Sequence, residues 1–118
     1  MTKLENLRSD SQFKKLLREK KIHTDYFSVY FAKNFDKKNN KKLNISFIMK
    51  KKEGNAVMRN KIKRKLRSAI QRKLKNTKLI NTDYSYIVFG KSKTFAEKYS
   101  IISNELDKTF LKINKMKN

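Results

Sequence analysis

Lys63, Arg64 and Arg67 stand at i, i+1 and i+4 in the stretch GNAVMRNKIKRKLRSAIQRK, a spacing that brings side chains to one side of a helix. Cations arranged in this way follow a track of phosphates: the guanidinium forks take two phosphate oxygens at a time, and the ammonium acts as a point charge. Asn60 shares that side, with an amide that both donates and accepts. Near Asn55 the helix begins, and its exposed N–H groups and dipole favour an anion there. This is the chemistry of docking on folded nucleic acid. Taken alone, the same residues also describe a solvated basic face on an ordinary amphipathic helix. Arginine usage favours the first reading: of six Arg, four lie from Arg59 to Arg72, whereas Lys runs from Lys3 to Lys117.

Catalysis by protein groups has little to work with. The single histidine, His23, is expected in a polar turn, and there is no cysteine to act as nucleophile or thiolate ligand. Carboxylates are scattered singly. Glu105 and Asp107, two apart on a helical stretch, point to different faces, so neither an acid/base dyad nor a metal cluster emerges. No glycine-rich phosphate loop is present.

The charge balance names the partner class. Thirty-two Lys and Arg face ten Asp and Glu, a formal +22 over 118 residues, and a field of that size opposes compaction unless a polyanion neutralises it. Each cation seated on a phosphate releases counterions, so binding is expected to weaken steeply with salt. No apolar run approaches the roughly 18 residues of a membrane span. The start MTKLENLRSD lacks the apolar core of a secretory signal, so a cytoplasmic location is expected.

These residues need elements to hold them. Ser9 with Gln12 reads as a capping box, and Phe13, Leu16 and Leu17 recur at helical spacing, which predicts a first helix over about 9–20. YFSVYFAK alternates, with Phe27, Val29 and Phe31 on one face and Tyr26, Ser28 and Tyr30 on the other. LNISFIMK puts Leu43, Ile45, Phe47 and Met49 together, and the two strands are expected to pair as an antiparallel hairpin across the polar loop NFDKKNNKK. Gly54 permits a positive φ before a long helix from Ala56 to about Leu74. Met58, Ile62, Leu66, Ala69 and Ile70 mark its core face; Asn60, Lys63, Arg64, Arg67 and Gln71 lie opposite. A third strand, YSYIVFG, follows, and Phe95, Tyr99, Ile102, Leu106, Phe110 and Ile113 mark a last helix. The whole chain, 1–118, reads as one α/β domain in the order α-β-β-α-β-α, with fraying expected at 1–8 and 114–118.

The block K-x-x-G-N-A-V-x-R-N-x-x-K-R-x-x-R, formed by Lys51, Gly54, Asn55, Ala56, Val57, Arg59, Asn60, Lys63, Arg64 and Arg67, resembles the signature of the bacterial ribonuclease P protein family. SQF in the first helix, the FSVYFA strand, the strand after DYSYIV and the closing helix extend the resemblance over most of the chain. The resemblance implies a two-layer sandwich of a small mixed sheet with three helices, similar to a ribosomal-protein domain, with a left-handed βαβ crossover. It also implies a protein subunit that binds the catalytic RNA and the 5′ leader of precursor tRNA and assists magnesium-dependent removal of that leader. The catalytic centre and most of the Mg2+ are then in the RNA, and neither a membrane nor an obligate protein partner is expected.

By the same resemblance, Arg59, Asn60, Lys61, Lys63, Arg64 and Arg67 on the helix, with Lys51 and Asn55 before it, are the expected RNA contacts. Phe13 and Tyr30 are the expected aromatics of the leader cleft, where a ring stacks on an unpaired base without demanding a particular one. Phe13, beside Leu16 and Leu17, is equally well placed for the core. Leu17, Ile48, Lys50 and Glu53 depart from the family pattern near the cleft. A ribosomal or other structural RNA-binding protein of similar fold is the alternative, and a self-sufficient RNase built on His23 is a third reading.

Overall fold

In the computed structural model the backbone is described for residues 3–5, 10–33, 42–76 and 79–116, and the side chains for all of these except 3–5, 10–13, 42 and 76. The elements run β1 (Lys3–Glu5), α1 (Asp10–Leu17), β2 (Lys20–His23), β3 (Phe27–Lys33), β4 (Lys42–Ile48), α2 (Ala56–Asn76), β5 (Tyr84–Gly90) and α3 (Tyr99–Met116). Five strands form one mixed sheet in the order β1-β4-β5-β3-β2. The α/β class, the three helices and their order relative to the main strands are those the sequence predicts.

The hairpin expected between β3 and β4 does not form. β5 sits between them, antiparallel to β3 and parallel to β4, and α2 carries the chain across from β4 to β5. Composition explains the order. From Ser85 to Val88 β5 is buried on both faces, whereas β3 and β4 each present a more polar second face, so β5 takes the centre. A long polar connection imposes no register of its own on β3 and β4, unlike a two-residue turn.

The expected first helix is also shorter than 9–20. It ends at Leu17, closed by Arg18 N–H to the Lys15 carbonyl and Glu19 N–H to that of Leu16, and Lys20–His23 continues as an edge strand on β3. KKIH and KLE are too short for a period of two to announce them, and Lys20 and Lys21 suit the exposed edge that β2 forms. His23 therefore ends a strand and does not lie in a turn. Ser9, the expected cap, lies outside the described residues. At the far end α3 starts at Tyr99 and runs to Met116, so Phe95 belongs to the preceding turn. The expected fraying of 1–8 and 114–118 concerns motion; in the backbone Lys3–Glu5 pairs with β4 and α3 reaches Met116.

One face of the sheet carries the main core. Phe27, Val29, Phe31, Leu43, Ile45, Phe47, Tyr86 and Val88 meet Ile62, Leu66, Ala69 and Ile70 of α2 and Ile102, Leu106, Phe110 and Ile113 of α3. Replacing one of these large residues by alanine costs about 2–5 kcal/mol. The short helix α1 packs on β3 and β5. Alternation turns Ile87 away from the main core, and it is as fully buried as Leu16 of α1.

Candidate nucleic-acid interface

The register of α2 on the core decides which of its cations face outwards. Asn55 starts the helix: its Oδ1 accepts the Met58 N–H at 2.8 Å, an N-cap that leaves the amide N–H2 as a donor. Gly54 precedes it at φ 133°, the positive value its position suggested, and a Cβ there would meet Met58 Sδ at 2.7 Å. Burying Ile62, Leu66, Ala69 and Ile70 then rotates Asn60, Arg64, Arg67 and Gln71 into solvent. Lys63 is half-buried at the margin of this arc, and the Arg67 guanidinium lies over the Phe47 ring, 5.5 Å from its centroid. Arg59 is half-buried, and its Nε finds no acceptor among the described residues. Lys51 is exposed in the short 3-10 turn Lys51–Glu53. Lys61 leaves the other flank of the helix, 5.9 Å from the centroid of the Phe95 ring.

Further along α2, the cations turned towards α3 and the turn before it are spoken for by the protein itself. Lys65 Nζ donates to the carbonyls of Thr94, Phe95 and Glu97 at 3.0, 3.2 and 2.8 Å. Lys73, 7% exposed, donates to Ser103 Oγ at 2.8 Å and pairs with Asp107 at 2.8 Å. Arg72 lies over the Tyr99 ring, 5.3 Å from its centroid. The outward arc holds none of these internal partners for Arg64 or Asn60.

A second surface lies on the sheet face that α2 and α3 leave uncovered. Strand register sets out two rows across it: His23, Ser28, Phe89 and Ile48, then Lys21, Tyr30, Ile87 and Ser46. Tyr30 and Phe89 meet edge to face at 5.5 Å, with Lys21 5.6 Å from the centroid of the first ring and Lys50 5.6 Å from that of the second. The result is an aromatic platform with an ammonium at each margin. Phe89 was not among the expected cleft residues. Its position two residues beyond Ile87 puts it on this face, but YSYIVFG is apolar at both parities and does not advertise the fact. Phe13 lies in the backbone of α1, and its side chain is outside the described residues.

Two of the departing residues acquire explanations. Lys50 is the cation over Phe89, and Glu53 Oε1 accepts the Ser92 N–H at 2.9 Å, tying the segment before α2 to the turn after β5. Leu17 is exposed, and Ile48 pairs with Phe89 in the sheet. His23 Nδ1 shares a hydrogen bond with the Ser28 hydroxyl; desolvation, then the charges of Lys21 and Lys91, hold its pKa below the usual 6.5. Glu97 is held below the usual carboxylate value by the Lys98 N–H, then by the Tyr26 hydroxyl. Among the described residues no three His, Cys, Asp or Glu side chains gather into a metal-holding group, and no helix is long and apolar enough to cross a membrane.

Comparison with known proteins agrees with this arrangement. The Ribonuclease P family model matches residues 1–114. Among solved structures, the Staphylococcus aureus RNase P protein at 2.0 Å is 26% identical, with a TM-score of 0.72 over 96% of this chain and 97% of that one. A Staphylococcus aureus RNase P protein mutant with defective mRNA degradation activity gives 26% identity and a TM-score of 0.73 over 93% and 87%. The RNase P protein from Thermotoga maritima, at 24% identity, shares the fold with a TM-score of 0.68 over 97% and 98%. No curated protein sequence matches the chain. With its signature helix turned outwards on this fold, and with the family model spanning all but its last four residues, the chain belongs to the Ribonuclease P protein family.

Proposed function

We propose that the chain binds the catalytic RNA of ribonuclease P through the outward arc of α2 and the 5′ leader of precursor tRNA through the Tyr30–Phe89 platform, and so assists removal of the leader. The observation that carries this reading is the division of α2: Asn60, Arg64 and Arg67 are directed at solvent while Lys65 and Lys73 on the same helix are tied into the protein. Arg64 and Arg67 grip phosphates of the RNA, with Lys63, Lys61 and Lys51 adding point charges, and the free amides of Asn55 and Asn60 and the Arg59 guanidinium fix the register. Tyr30 and Phe89 stack on unpaired leader bases, while Lys21 and Lys50 neutralise the adjoining phosphates; Phe13 is a further leader contact by the family resemblance. The described residues hold no carboxylate cage for a metal, and Mg2+ bound by the RNA and the substrate supplies the activation of water and the leaving oxygen. The protein's share is positioning and charge neutralisation, exercised in the cytoplasm.

The test is reconstitution with the catalytic RNA of the same genome and a precursor tRNA at low magnesium. Added protein is expected to restore cleavage at the mature 5′ end, and His23→Ala is expected to do so equally well. Cleavage of the precursor by protein without RNA, or no gain on adding protein, contradicts the proposal.

A further inference from the structure

Phe95 has no place in the core that its spacing from Tyr99 and Ile102 suggested. It is 41% exposed, more than any other described Phe or Tyr. The backbone beneath it is nevertheless fixed from several directions. Thr94 is fully buried and donates its hydroxyl to the Tyr26 carbonyl at 2.7 Å, and Phe95 N–H reaches the Ser92 carbonyl at 3.0 Å. Lys65 gathers the three carbonyls of Thr94, Phe95 and Glu97, and Glu53 holds the Ser92 N–H. An apolar ring in water, displayed on a turn this well tethered, is ordered before anything binds it, so a partner loses little entropy in meeting it.

The surroundings select the partner. The Lys61 ammonium is 5.9 Å from the ring centroid, and one helical turn earlier on the same flank Val57 is 66% exposed. Along the chain Lys98 is exposed beside Glu97, while Lys91 is drawn onto the Thr24 carbonyl at 2.6 Å and Lys93 lies over the Tyr26 ring, 3.6 Å from Asp25. A protein interface depletes lysine around its apolar centre, whereas single-stranded nucleic acid demands a ring set among cations. The turn is also packed against α2, continuous with the helix proposed to dock on RNA. We propose that Phe95 is a second stacking platform, taking an unpaired base of the catalytic RNA subunit beside α2, with Lys61 on that nucleotide's phosphate. This rests on the reading of α2 given above.

The experiment titrates the catalytic RNA subunit with Phe95→Ala, Phe95→Leu and Phe95→Trp. Alanine is expected to weaken binding roughly 5- to 160-fold, the range of one lost base stack, without changing the dependence of log affinity on log salt or the unfolding midpoint. Tryptophan is expected to retain wild-type affinity, and because the chain has no other Trp its emission is expected to be quenched as RNA binds. Leucine, apolar but without a π-face, is expected to resemble alanine. Unchanged affinity in Phe95→Ala while Arg64→Ala still weakens binding overturns the stacking site and leaves the α2 reading intact. Full rescue by leucine, or Trp emission unmoved by saturating RNA, also overturns it. If Arg64→Ala and Phe95→Ala both bind as wild type, the α2 reading fails with it.

Discussion

The two flanks of α2 are built from the same residue types and do opposite work. On one, Lys65 and Lys73 are drawn inwards onto carbonyls, a serine and an aspartate; on the other, Arg64 and Arg67 are exposed, Arg67 with its guanidinium over the Phe47 ring. Composition alone does not separate them. The angle each position makes with Ile62, Leu66 and Ile70 does, because burying those residues fixes the helix rotation and thereby assigns every cation either to the fold or to a partner. A +22 chain thus uses part of its charge to build the scaffold and presents the remainder as a surface.

The contrast is sharpest in paired substitutions. Replacing Arg64 and Arg67 together by alanine is expected to remove the two proposed phosphate contacts, at a log-log slope of about 0.7–0.9 each. Relative to about 1 M salt, this lowers RNA affinity roughly 25- to 60-fold at about 0.1 M and flattens the salt slope by about two contacts. Chemical denaturation of that variant is expected to show a loss no larger than the Arg67–Phe47 contact, about 0.5–1 kcal/mol. Lys65→Met is expected to do the reverse: chemical denaturation should show a loss of about 1.5 kcal/mol as three carbonyls lose their donor, with the salt slope of RNA binding within one contact of wild type. If Lys65→Met flattens the slope as much as the arginine pair does, the division of the helix is wrong.

Smaller effects refine the second surface. Tyr30→Ala weakens precursor tRNA binding to the reconstituted enzyme by about 1 kcal/mol, the low end for a stack because Phe89 already covers one edge of the ring, and leaves mature tRNA affinity unchanged. Equal losses for both ligands remove Tyr30 from the leader site. The smallest effect is that of pH. His23 has its folded pKa below 6.5, so the unfolded chain binds the extra proton first; stability is complete above about pH 6.5 and falls on acidification towards the lower folded value. Guanidine titrations at pH 7.5 and 5.5 are expected to show a decline that His23→Gln reduces.

Much of this was legible in local pattern, and what was not has a physical reason. The core face and polar arc of α2 followed from a period that 21 residues without Gly or Pro repeat several times. Gly54 followed from its permissive backbone. Strand neighbours did not follow: β3 and β4 carry the alternation of a hairpin, but pairing is decided by which strand loses most if left at an edge, and β5, buried on both faces, outbid β4 for β3. KKIH reads as the end of a helix because four residues are too few to show a period. Phe89 was concealed by a strand apolar at both parities. Phe95 was misassigned because its four-residue spacing from Tyr99 imitates a helix that begins only at Tyr99. The helical period sets Lys65 and Lys73 nearer the core than Arg64, but their partners, in the turn before α3 and in α3 itself, emerge only in the fold.

The direction in which the arc of α2 faces is open to direct measurement, since the chain has no cysteine and a single one is easily placed. An iron chelate tethered at Gln71→Cys, exposed on the arc, and at Lys112→Cys, exposed on α3, generates hydroxyl radicals beside each position in the reconstituted complex. Strong, localised scission of the catalytic RNA from position 71 and only background scission from position 112 is the predicted result. Strong scission from 112 with none from 71 contradicts the account.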